Sequence, residues 1–222
     1  MNYIYNTIYS KLSTKIIYQI PYQILQLFIQ LTNDNTRQLY ETAAFFCGKR
    51  NSSTNTMLVN HLVIPQQPQK HDQYIITGFD HFDYIEKNKI EIGCMIHTHP
   101  NHSLFLSEPD LKTHNLLQMS NNSIISIVYA PLCMNLSTKF DISPRRHPRF
   151  KQNFINKILS NSLGFYCMTD KFVDKYRDKT MRKKLYHFLK KKSAKAYVNA
   201  NNFEILFDHV EIHNVDFRHH QN

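Results

Sequence analysis

Two histidines two residues apart, His97 and His99, and an aspartate further on, Asp110, are the residues of this chain best suited to chemistry. Side chains alternate along a strand, so His97 and His99 leave an extended segment on one face. Two imidazoles and one carboxylate are the donors of a catalytic zinc site, in which a fourth position is left to water. Pro100 follows His99, and Ser107 stands three residues before Asp110, completing the pattern HxHPx7SxxD. A bare HxH among 13 histidines carries little, since such pairs arise by chance. The joint spacing of His97, Thr98, His99, Pro100, Ser107 and Asp110 carries the metal reading. Asp110 can then return to the histidines as the third ligand.

The elements around this stretch must deliver those groups. Ile90 to His97 reads as a central strand carrying the histidines, and Asn101 to Leu106 as a loop. Ser107 is a natural N-cap, and Pro109 in the first turn has no N–H to leave unpaired. The helix is expected to run to about Met119, with Asp110 in its first turn facing back to the metal. Upstream, Ile16 to Ile20 reads as a short strand. Ile24, Leu25, Phe28, Ile29 and Leu31 recur at helical spacing after Pro21, ending in polar Thr32 to Thr36. Ala43 to Cys47 is a buried strand closed by Gly48, with Glu41 at its leading edge. On residues alone Glu41 is either an exposed strand-start carboxylate or a general base beside the metal. Met57 to Ile64 alternates as a strand, Pro65 to Asp72 is a loop, and Tyr74 to Thr77 reads as a further strand. Phe79 to Lys87 reads as a helix with apolar Phe79, Phe82 and Ile85 on one side. Ser123 to Ala130, Gly164 to Met168 and Phe203 to Phe217 supply the remaining strands. Phe140 to Arg149 is a loop, and Phe154 to Leu159 a short helix. Strands interspersed with helices around a mixed sheet define an α/β class.

Composition bounds the whole. At 222 residues, with 42% apolar and 13% aromatic residues, the chain suits one domain with a sizeable core. Residues 1–14 read as a weakly ordered lead and 15–222 as a single domain. Cys47, Cys94, Cys133 and Cys167 lie far apart in apolar runs, as buried free thiols of a reducing compartment do. No leader-like run opens the sequence, and no stretch nears the ~18–20 apolar residues of a membrane span, so a cytoplasmic location is expected. The net charge is +10. Residues 170–195 hold eleven Lys or Arg against three Asp, and so carry +8 of it. That insert, expected to be helical, is either a solvated face or a surface for an acidic partner, an acidic membrane or nucleic acid. Its aromatic residues, Phe172, Tyr176, Tyr186 and Phe188, do not read as a stacking platform, so nucleic acid is not expected.

The pattern from His97 to Asp110 is the signature of the JAMM (MPN+) metalloproteases. The wider chain resembles their AMSH (STAM-binding protein) branch. Asn35-Thr36-Arg37, Glu41-Thr42 and Cys47-Gly48-Lys49 are similar to that branch's "SNT…ETCGILCGK", and Leu62-Val63-Ile64-Pro65 to its "VLIPKQ". Ile96 to Pro100, Phe105-Leu106-Ser107 and Asp110-Leu111 with Thr113-His114 follow it nearly residue by residue. The resemblance covers about 22–131, with further similarity at Gly164-Phe165-Tyr166, Thr169-Asp170 and Val210 to Arg218. It implies an MPN (cytidine-deaminase-like) fold, one zinc ion on His97, His99 and Asp110, Glu41 as general base and Ser107 at the oxyanion. The implied activity is hydrolysis of isopeptide bonds in ubiquitin chains, linked through ubiquitin's lysine sixty-three, in endosomal sorting.

Departures qualify that implication. The branch has a second, structural zinc, whose first histidine lies two residues after the catalytic aspartate; Lys112 stands there. Its later Cys and His-Pro-His cluster has no counterpart in 171–202, so the structural zinc is expected to be absent and linkage preference is open. The branch's N-terminal microtubule-interaction domain and STAM-binding segment are also expected to be missing, leaving endosomal recruitment to another route such as the basic segment. Gly93 lies one residue further from His97 than the family's glycine. A non-catalytic MPN scaffold, and a JAMM peptidase for another ubiquitin-like modifier, are the alternative readings.

Overall fold

The computed structural model describes residues 16–68, 74–121, 123–131, 162–169 and 197–218, omitting the side chains of 119 and 120. The lead at 1–14, the Phe140–Arg149 loop, the Phe154–Leu159 helix, Cys133 and the basic 170–195 segment lie outside the described residues. The apolar runs form strands β1 (Ile17–Pro21), β2 (Ala43–Asn51), β3 (Thr56–Ile64), β4 (Glu91–Thr98), β5 (Ile125–Tyr129) and β6 (Leu163–Met168). β7 (Tyr197–Asn199), β8 (Phe203–Leu206) and β9 (His213–Asp216) follow. Three helices accompany them: α1 (Tyr22–Arg37), α2 (Asp80–Lys87) and α3 (Glu108–Ser120).

One mixed sheet has the order β7-β6-β5-β4-β2-β3-β1-β8, with β9 paired to β3. β4 runs antiparallel to β2 and parallel to β5, so the ligand strand is held on both edges. Such a strand, buried on both faces, reads as a continuous apolar run, as Ile92 to Ile96 does. α1 lies on one face, its Ile24, Leu25 and Phe28 packed with Ala44, Phe46, Leu62 and Ile96. Each of the Ile, Leu and Phe side chains contributes about 1.5–3 kcal/mol by leaving water. On the other face Ala43, Phe45, Cys47, Val63 and Met95 meet Tyr84 and Ile85 of α2 and Leu117 of α3. Cys47 and Cys94 are buried free thiols, as expected, and Cys167 is buried as well. Among the described residues no helix is long and apolar enough to cross a membrane.

Several sequence expectations are corrected. α1 ends in its polar run at Arg37, as expected, and within that run Thr32 is buried with its hydroxyl donating to the Phe28 carbonyl at 2.8 Å. The chain turns only at Leu39, with φ 63°. β2 does not close at Gly48 but runs on to Asn51. Gly48 sits at an irregularity where a Cβ would lie 1.9 Å from the Leu58 carbonyl oxygen, so only glycine fits. Tyr74 to Thr77 is not a strand: Ile75 and Thr77 are exposed, and Thr77 N–H reaches back to the Gln66 carbonyl at 2.8 Å. On α2 the buried residue is His81, stacked on Phe45, whereas Phe79 is 76% exposed and Phe82 43% exposed. β7 had no sequence signal of its own. Gly93 falls at a bulge, where Phe46 pairs with Cys94 but Cys47 with Ile92.

Candidate metal centre

The register of β2 against β4 builds the site. Ala43 pairs with His97, and the ladder continues outward through Thr42 and Thr98, whose backbones meet at 2.9 Å. Residues opposed in an antiparallel pair share a face. Ala43 therefore leaves space beside His97, and Glu41 falls opposite His99 on that face. His99 begins the loop after β4, its N–H held by the Tyr129 carbonyl at 2.7 Å.

α3 returns the carboxylate. Ser107 is its N-cap and Pro109 lies in its first turn. Asp110 Oδ2 accepts from Ser107 N–H at 2.8 Å and from the Ser107 hydroxyl at 2.5 Å. Ser107 Oγ in turn accepts from Asp110 N–H, forming a capping box with Asp in the third position. The same device that starts the helix thus aims Asp110 at the strand.

Three donor atoms converge. His97 Nε2 and His99 Nε2 are 3.1 Å apart, and Asp110 Oδ2 lies 3.4 Å from the first and 3.5 Å from the second. Metal–ligand bonds of about 2.0–2.2 Å in tetrahedral array place donors roughly 3.3–3.6 Å apart. The triangle therefore fits a tetrahedral ion bound through all three. The imidazole of His99 is set for it, since Nδ1 hydrogen-bonds the Ser103 carbonyl at 3.0 Å, leaving Nε2 with the lone pair when the ring is neutral. All three donor residues are buried. Among the described residues theirs is the group of His, Cys, Asp or Glu able to hold a metal ion.

The electrostatics match. Burial alone would raise Asp110, but His97, His99 and Ser107 outweigh it and hold the carboxyl well below the usual carboxylate range. Burial pulls His99 down, yet its hydrogen bonds to the Asp110 carboxylate and the Ser103 carbonyl, with the charges of Asp110 and Glu41, leave its pKa raised. Burial, then the charge of His97, pushes His114 down to about 4. Both nitrogens of His114 lack a properly aligned hydrogen bond, so the ring sits one turn past Asp110 as a neutral packing group. Phe105 packs tilted against His99 with ring centres 5.0 Å apart, and Tyr74 against His97 at 5.2 Å, which lines the donors with aromatic rings.

All five residues singled out in the sequence meet here. His97, His99 and Asp110 form the triangle, Ser107 touches Asp110, and Glu41 is only 6% exposed on the same face. Lys112 forms an ion pair with Glu108 one turn back, at 2.9 Å. Sequence reasoning missed Tyr74. Burial, then the carboxylates of Asp110 and Glu41, hold its hydroxyl well above the ordinary tyrosine value, so the ring joins both sides of the site. It also assigned no role to Gln67, whose contacts depend on tertiary structure alone.

A mixed sheet that presents two histidines from one strand, and an aspartate from the first turn of the next helix, defines a metal-site domain of the MPN kind. No protein-family model matches the chain. It is 34% identical over 107 residues to the "AMSH-like protease sst2" of Schizosaccharomyces pombe, covering 48% of this chain and 24% of that one. It is 35% identical over 106 residues to a "STAM-binding protein-like" of Xenopus laevis, covering 47% and 25%. An "AMSH-like ubiquitin thioesterase 1" of Arabidopsis thaliana is 29% identical over 108 residues, covering 48% and 21%. The matched segment is thus about a quarter of the length of these curated relatives. This similarity, joined to the site, supports the AMSH-like branch of the JAMM/MPN family.

Proposed function

We propose that this chain is a zinc-dependent isopeptidase that removes ubiquitin from ubiquitin chains, those linked through lysine sixty-three among them. The observation that carries this reading is the 3.1–3.5 Å triangle of His97, His99 and Asp110, with Glu41 on the same face. Relatives named as AMSH-like protease and ubiquitin thioesterase support the substrate class.

His97, His99 and Asp110 would hold the ion, which as a Lewis acid supplies an acidified water and a polarised carbonyl. Glu41 then takes a proton from the attacking water and delivers it to the leaving lysine amine. Its burial keeps that exchange away from bulk solvent. The hydroxyl of Ser107, at the edge of the triangle, is the donor for the oxyanion that develops on the scissile carbonyl, a contribution of large size in comparable sites. Phe105 and Tyr74 exclude water and so strengthen each of these interactions.

The test is cleavage of ubiquitin dimers of every linkage after chelation, then after zinc is restored. Loss and recovery of cleavage, strongest on one linkage, supports the proposal. A zinc-loaded protein inert on every dimer refutes it and leaves the non-catalytic MPN scaffold as the reading.

A further inference from the structure

The segment that carries Glu41 is held in an unusual way. In an ordinary antiparallel ladder Thr42 and Thr98 would exchange two backbone hydrogen bonds. One is present, from Thr98 N–H to the Thr42 carbonyl at 2.9 Å. The other is replaced: Thr42 N–H donates at 2.9 Å to the side-chain hydroxyl of Thr98. The substitution frees the Thr98 carbonyl, so β4 diverges to place His99 while Thr42 stays attached. Thr42 and Thr98 are both fully buried, so water cannot take over. Asn35, near the end of α1, adds a bond from its amide to the Thr42 hydroxyl at 3.0 Å.

The opposite edge is completed just as irregularly. The β2–β3 register carries Ala43 toward Pro65, which has no N–H to donate. Gln67 supplies the missing donor and also takes the acceptor's place. Its Oε1 accepts from Ala43 N–H at 2.8 Å, and its Nε2 donates to the Ala43 carbonyl at 2.7 Å and the Pro65 carbonyl at 3.2 Å. Of the four backbone polar groups that follow Glu41, three are therefore held by the side chains of Thr98 and Gln67.

We infer that Thr98, between the two histidines, is the positioning residue of Glu41, with Gln67 as the second jaw of a clamp that fixes the carboxylate relative to the metal ligands. This rests on Glu41 being the general base, as proposed above. It goes further by assigning the middle residue of the HxH pair a task of its own: one side chain ties the ligand strand to the base, so the two cannot shift independently. Misplacement of a catalytic group by about 1 Å is enough to slow a reaction roughly 100-fold.

The test compares wild type, Glu41→Gln, Thr98→Val and Thr98→Ser in three measurements. These are zinc affinity by chelator competition, steady-state cleavage of a ubiquitin dimer, and amide hydrogen exchange at Thr42. Thr98→Val keeps the shape and removes the hydroxyl. It should hold zinc within about threefold of wild type, speed Thr42 exchange at least about tenfold, and lower kcat roughly 10- to 100-fold with KM little changed. Thr98→Ser should restore all three. If Thr98→Val does not fold, Gln67→Ala, at a half-buried position, should give the same zinc and rate pattern, with the faster exchange at Ala43, whose N–H Gln67 accepts. Wild-type turnover by Thr98→Val beside an inert Glu41→Gln overturns the inference, as does loss of zinc in step with loss of rate. If instead Glu41→Gln is as active as wild type, the reading of the base fails. The clamp is then judged by exchange alone, and unchanged Thr42 exchange in Thr98→Val overturns it.

Discussion

Replacing Asp110 by Asn separates the ligand role of this side chain from its helix-capping role. The carboxamide oxygen can still accept from Ser107 N–H, which lies 2.8 Å from Asp110 Oδ2, so the helix start is kept. What is lost is the single anion among the three donors that lie 3.1–3.5 Å apart. Disturbing groups that merely support a ligand weakens metal sites about 10- to 100-fold, so removing the anionic ligand should weaken zinc binding about 100-fold or more. That is about 2.7 kcal/mol, which at fixed zinc is subtracted from the stabilisation that binding confers. For a chain of this size 1 kcal/mol moves Tm about 2–4 °C, so the zinc-induced rise in Tm should shrink by roughly 5–10 °C. The metal-free Tm should fall by only about 2–4 °C, the effect of losing a charge at a helix N-terminus. Thermal unfolding with and without zinc reads both. An unchanged zinc-induced rise in Asp110→Asn would refute the assignment of Asp110 as a ligand.

Further predictions follow from neighbouring contacts. Ser107→Ala removes the N-cap and a hydrogen bond to a carboxylate, and should lower the stability of the metal-free protein by about 1–3 kcal/mol in urea, with Ser107→Thr recovering most of it. Gly93→Ala drives a methyl to within 2.8 Å of Val59 and 2.9 Å of both Met57 and Tyr18, and should cost about 1–3 kcal/mol by overpacking, read as a lower urea midpoint. His114 has a folded-state pKa of about 4, below its unfolded value near 6.5, so protons favour the unfolded chain. Its contribution is complete above pH 6.5 and is lost as pH falls, by about 2 kcal/mol between pH 7.5 and 5. His114→Gln should flatten that part of the metal-free stability profile, and a profile as steep as wild type would count against it.

The legible parts of the site were the local ones. His97, His99, Ser107 and Asp110 lie on one strand end, one loop and one helical turn, so alternation and capping chemistry place them without knowledge of the fold. Glu41 could be placed only through the family resemblance, because its approach to His99 depends on the pairing of β2 with β4. Tyr74 and Gln67 gave no local signal, since one packs across His97 and the other mimics a strand residue. The misread side of α2 has a different cause. An eight-residue helix holds too few turns for periodicity to decide, and here a stacked His81 faces inward while Phe79 and Phe82 face out.

The central claim, metal-assisted hydrolysis with Glu41 as the base, is tested most directly by measuring zinc content and ubiquitin-dimer cleavage on the same preparations of wild type and Glu41→Gln. The account predicts one zinc per chain in both, with turnover in the wild type and turnover reduced by at least about 100-fold in the variant. Equal turnover in the two proteins, or zinc lost from Glu41→Gln, would contradict it.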